Sequence, residues 1–112
     1  MDTQQGVPHR LALAKMNADL ARLMTQRAAW LHDQGEPLAA GEAANMAKFA
    51  AAEAGMAALV QAILAQGGNG LSTEYGLATL RGSMRLMRTA PISREMILNY
   101  VARHSLGLPS SY

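Results

Sequence analysis

The chain has 112 residues, half of them hydrophobic but only 4% aromatic, so its apolar mass is Ala, Leu and eight Met rather than large rings. A domain of this size removes only about two-thirds of its unfolded surface from water, which implies a shallow, helix-prone core. The absence of Cys excludes disulfides, thiolate zinc sites and thiol nucleophiles, and it gives no sign of an oxidising compartment.

The longest apolar stretch, residues 49–66, is interrupted by Glu53 and Gln61. It falls short of the roughly 20 uninterrupted apolar residues of a membrane span, so no membrane helix is expected. The start, Met1-Asp2-Thr3-Gln4-Gln5, lacks the basic and apolar regions of a secretory signal. A cytoplasmic setting is the expectation. The net charge of +2 hides a split, because residues 77–112 carry five Arg and a single Glu. Arg81, Arg85 and Arg88 stand four and three apart, the spacing of one solvated helix face. Nucleic acid is the competing partner for such a tail, but the interleaved aromatics of a binding platform are missing, so none is expected.

In chain order, Leu13, Met16, Leu20, Leu23 or Met24, and Leu31 recur at three- and four-residue steps, which predicts an amphipathic helix from near His9 to near Asp33. Gly35 suits a left-handed position at its end, and Pro37 cannot continue the ladder. A second period, through Met46, Phe49, Met56, Val60, Ile63 and Leu64, predicts a long helix from Gly41, a possible N-cap, to about Gln66. Its Ala-rich surface and Gly55 leave room for another helix axis, at about 1 kcal/mol of propensity for the glycine.

Gly67-Gly68-Asn69-Gly70 ends that helix, and Ser72 or Thr73 can cap a third carrying Leu77, Leu80, Met84 and Met87. After Pro91, Ser93 is the expected N-cap of a fourth, with Glu95 in its first turn and Met96, Ile97, Tyr100 and Val101 facing inward, ending by Gly107. No run alternates as a half-buried strand does. The fold class is therefore all-α, an up-and-down bundle of two long helices followed by two shorter ones, with residues 1–112 as one domain and residues 1–8 a flexible start.

His9, His32 and His104 fall on different segments without helical metal-ligand spacing, and Ser93, Ser110 and Ser111 lack a nucleophile motif. The glycine run could approach a phosphate or ribose, but it follows a helix rather than a strand, so a helix C-cap explains it equally.

Four motifs keep a recognisable order. Arg27-Ala28-Ala29-Trp30-Leu31-His32-Asp33, then Glu42-Ala43-Ala44-Asn45-Met46-Ala47-Lys48, then residues 66–75 with Leu80-Arg81 and Arg85-Leu86-Met87-Arg88, and finally Ser93-Arg94-Glu95-Met96-Ile97, together resemble the C-terminal segment of acyl-CoA dehydrogenases. The likeness runs from about Leu11. It implies most of that family's C-terminal helical bundle without the bundle's first helix, so that one face lies bare unless another chain or a copy of this one covers it. It also implies an oxidoreductase of acyl-CoA and fatty-acid metabolism in which a glutamate removes the α-proton of a thioester and FAD accepts the β-hydride.

Where many family members carry that glutamate, in a Glu-Gly-Thr segment, this chain has Pro91, Ile92 and Ser93, so no catalytic residue is named. The resemblance assigns FAD contacts to Gly67 and Gly68, to Leu64 where the family often has glutamine, to Ser93 in place of threonine, and to Glu95. Loss of the glutamine removes a hydrogen bond worth about 1 kcal/mol. An anionic Glu95 beside a diphosphate is repulsive. Alone, the chain is expected neither to retain FAD nor to catalyse, and its partner is a companion acyl-CoA dehydrogenase chain or a second copy. A non-catalytic self-association or docking module is the alternative.

Overall fold

The computed structural model describes residues 6–66 and 76–109. Among them there are four α-helices and no strand: α1 (Gly6–Asp33), α2 (Pro37–Ala65), α3 (Leu77–Leu86) and α4 (Arg94–Tyr100), the last continued by a π-helical turn, Val101–Ser105. Two long helices precede two short ones, as the periodicity predicts. The residues proposed to cap the third helix, Ser72 and Thr73, lie outside the described residues; α3 follows Gly76, whose φ is +75°.

The stop at Gly35 matches the expected left-handed cap in detail. Gly35 has φ +76°, its N–H donates to the His32 carbonyl at 3.1 Å, and the Glu36 N–H donates to the Leu31 carbonyl at 3.0 Å. These two bonds form a Schellman motif, which satisfies carbonyls the helix leaves unpaired. The helix starts differ from expectation. α1 begins at Gly6, with Pro8 in its first turn where a missing N–H costs nothing. α2 begins at Pro37 rather than Gly41, because proline's fixed φ suits the first helical position; Glu36 precedes it without a side-chain cap bond. Gly41 therefore lies one turn inside, where a Cβ would stand 3.8 Å from the Tyr100 hydroxyl.

The short connection makes α1 and α2 antiparallel neighbours. Their contact is built from small residues: Ala14, Ala18, Ala21 and Thr25 face Ala51, Ala54, Gly55 and Ala58 across a groove, and Leu31 packs with Ala40 and Ala43, flanked by Met24 and Ala28. This corrects the expected inner face of α1. Leu13, Met16, Leu20 and Leu23 point away from α2, each 58–60% exposed, and Trp30 joins them at 58%. One residue of offset rotates a side chain about 100° around the axis, so α1 carries two parallel apolar seams, and the alanine seam wins α2 because it permits the closer approach.

On its other side α2 receives α3 and α4. The expected room at Gly55 is used by Met84 of α3, whose methyl occupies the space a Cβ would need. Leu80 and Met87, expected to be inward, are about half exposed, as is Met96 on α4; Ile97 alone of that helix is fully buried, at 3%. A single short turn of contact buries one residue per turn, which Ile97 supplies. Leu64 is likewise 57% exposed at the far end of α2. By length and composition α2 is long and apolar enough to cross a membrane, which the interrupted run of residues 49–66 did not suggest. Its apolarity is largely alanine that packs on α1, a role an ordinary core helix shares.

Candidate cofactor-contact site

The loop between α3 and α4 is tied down by polar contacts. Met87, Arg88 and Thr89 close the end of α3 by backbone bonds to Met84, Arg85 and Leu86, and the Arg94 N–H donates to the Arg88 carbonyl at 2.8 Å, closing the loop into α4. The Lys48 ammonium donates to the Met87 carbonyl. Ser93 caps α4 as expected, its hydroxyl accepting from the Met96 N–H at 3.2 Å. The Ala90–Pro91 peptide bond is cis.

Beneath the loop lies Glu53 of α2. Its Oε1 accepts from Arg88 Nε at 2.9 Å and from Arg94 Nε at 3.2 Å, all three side chains being about one-third exposed. The Arg94 guanidinium also lies 5.2 Å from the centre of the Phe49 ring, a favourable cation–π distance. These contacts correct the reading of Arg88 as part of a solvated face. α3 ends at Leu86, so Arg88 has left the helix that keeps Arg81 and Arg85 exposed, and it turns back to α2.

Above the ion pairs, Arg85, Arg88, Thr89, Arg94 and Glu95 line an open cleft of about 180 Å³. Two of the residues assigned to FAD by resemblance, Ser93 and Glu95, are thus brought together at the start of α4. Glu95 is exposed at a cleft whose other charges are three guanidiniums, with Glu53 below. The repulsion an isolated Glu95 would exert on a diphosphate is therefore offset locally. Leu64 is not part of this cluster: it stands eleven positions beyond Glu53, roughly 16 Å along α2, and presents no hydrogen-bonding group. Gly67 and Gly68 lie outside the described residues. No carboxylate stands at positions 91–93, where Pro91 and Ile92 are exposed.

The expected surface histidines are exposed, with His104 stacked 4.4 Å from Tyr100. Among the described residues no group of three His, Asp or Glu is arranged to hold a metal. Sequence reasoning missed the Glu53–Arg88–Arg94 cluster, although its signal was present: Glu53 is a charge inside an otherwise apolar run, and a charge there requires a partner.

A helical domain of paired antiparallel helices, closed at one end by a polar loop and bare along one seam, defines a piece that packs into a larger helical assembly. The chain belongs to the acyl-CoA dehydrogenase family, whose C-terminal domain it matches over residues 2–106. It is 58% identical over 108 residues to the acyl-CoA dehydrogenase FadE12 of Mycobacterium tuberculosis, covering 96% of this chain but 28% of that protein. It is 35% identical over 102 residues to the probable acyl-CoA dehydrogenase YngJ of Bacillus subtilis, covering 91% and 26%. A more distant relative is the L-prolyl-[peptidyl-carrier protein] dehydrogenase of Pseudomonas fluorescens, 37% identical over 81 residues, covering 71% and 21%. The chain therefore spans about a quarter of the length of these relatives. No solved structure matches it significantly.

Proposed function

We propose that this chain is the FAD-contacting and subunit-assembling helical part of an acyl-CoA dehydrogenase, inactive until joined to the rest of the enzyme. The observation that carries the reading is the outer seam of α1. Leu13, Met16, Leu20, Leu23 and Trp30 leave more than half of their surface in water, and covering each is worth roughly 1–2 kcal/mol. A patch of that kind marks an interface.

When bound, FAD supplies the acceptor for the β-hydride. The residues at the start of α4 fit one polar end of such a cofactor: the Ser93 hydroxyl keeps its proton for donation while accepting from Met96, and Glu95 stands among arginines. Gly67 and Gly68 would add backbone N–H donors by the family resemblance, and Leu64 only apolar contact. The two carboxylates nearest the cleft do not replace the missing base, since Glu53 is engaged by two guanidiniums and Glu95 lies a helical position away from the family's segment. A proton-abstracting carboxylate would have to come from outside this chain. The same bare seam supports the second reading, a non-catalytic self-association module; a cytoplasmic location suits either.

The test is to purify the chain alone and after co-expression with the remaining portion of an acyl-CoA dehydrogenase such as FadE12. Retained yellow colour that bleaches on adding acyl-CoA, in the co-expressed sample only, is the expected result. Colourless protein of discrete dimeric mass in both samples would overturn it in favour of the module. Leu20→Glu should abolish association while leaving the helical circular dichroism of the chain intact.

A further inference from the structure

We propose that the cleft between the end of α3 and the start of α4 binds a phosphoryl oxyanion through Arg85, Arg88 and Arg94. The reasoning starts from how Glu53 is used. One carboxylate oxygen takes the Nε–H of both Arg88 and Arg94, and among the described residues the terminal nitrogens of both guanidiniums carry no hydrogen bond. Those nitrogens are the paired donors that match phosphate geometry, and gripping an arginine by Nε orients them without consuming them.

Arg94 is further fixed by the Phe49 ring at 5.2 Å and by the backbone bond from its own N–H to Arg88, so the two guanidiniums are held in a set relation before any ligand arrives. Arg85, one turn back on α3, lines the same cleft. Counting the cleft and its floor, three positive side chains stand against Glu53 and Glu95. The volume of about 180 Å³ admits a tetrahedral anion with its water. Fixed, converging, incompletely used guanidiniums beside an open volume form a site, whereas a purely structural ion pair would direct all its donors inward.

The inference goes beyond cofactor contact at Ser93 and Glu95 and stands or falls separately from it, since free phosphate, FAD and coenzyme A all present the same oxyanion. The experiment titrates the isotope-labelled 112-residue chain with inorganic phosphate at low ionic strength, against a chloride control of equal ionic strength, and reads the Nε–H signals of arginine by NMR. Saturable shifts confined to Arg85, Arg88 and Arg94 are expected. Arg85→Ala should weaken binding roughly tenfold. Glu95→Gln should tighten it a few-fold, because it removes an opposing charge. Arg81→Ala, outside the cleft, should have no effect.

Parallel titrations with FAD and coenzyme A identify which source binds tightest. Phosphate binding with no preference for FAD would retain this site and count against the cofactor role of Ser93 and Glu95. No saturable shift with any of the three, equal loss in Arg81→Ala and Arg85→Ala, or weaker binding in Glu95→Gln would each overturn the site.

Discussion

The two sides of α2 are held by different physics. Toward α1 the contact is alanine, glycine and Leu31, and among the described residues no side-chain hydrogen bond crosses it. Toward α3 and α4 the apolar contribution is small, chiefly Met84 and Ile97, and the Glu53–Arg88–Arg94 cluster, the Lys48 bond to Met87 and the Ser93 cap fix the geometry. Close packing without polar specificity joins the long helices, and it leaves larger side chains free for another surface. Polar specificity with little packing sets the short ones, which keeps charged groups available to a ligand.

The contrast can be broken by mutation, beginning with the apolar side. Leu31→Ala opens space in the cluster with Ala40 and Ala43 and should cost roughly 2–4 kcal/mol in urea denaturation. Gly55→Val forces a branched side chain against Met84 and should cost about 1–3 kcal/mol, with α3 losing protection from hydrogen exchange before α1 does. On the polar side, Ser93→Ala removes a cap bond and should cost about 1 kcal/mol, while fraying α4 locally in exchange measurements.

The smallest expected effect is electrostatic and lies outside both contacts. The Lys15 ammonium donates to Asp19 at 2.8 Å on the outside of α1, and that bond, with the positive charge itself, holds the Asp19 carboxyl below its ordinary value. A depressed folded-state pKa stabilises above the unfolded value of 3.8 and is lost as pH falls through the lower, folded one. Asp19→Asn should therefore narrow the gap in stability between neutral and strongly acidic pH, slightly, since Lys15 is 75% exposed.

Helix order, the stop at Gly35 and the Ser93 cap were legible because each depends on local chemistry within a few residues. Which face of α1 meets α2 was not, because hydrophobicity ranks leucine above alanine, whereas helix approach distance ranks them the other way. The start of α2 was misplaced for a related reason: Gly41 resembles a cap, but Pro37 already satisfies the first turn. At the candidate site Ser93 and Glu95 were legible from motif order. Arg88 was not, since its partner lies 35 positions earlier and no periodicity links them.

The π-helical turn at Val101–Ser105 carries a further consequence. Its closing bond, from the Leu106 N–H to the Val101 carbonyl, spans one more residue than an α-helical turn does. Such a turn holds a spare residue, so the chain can lose one amino acid there and relax into ordinary helix while everything before Tyr100 keeps its place. The segment after it would swing about 100° around the axis. Length variation at this point thus re-aims the C-terminal segment without rebuilding the bundle.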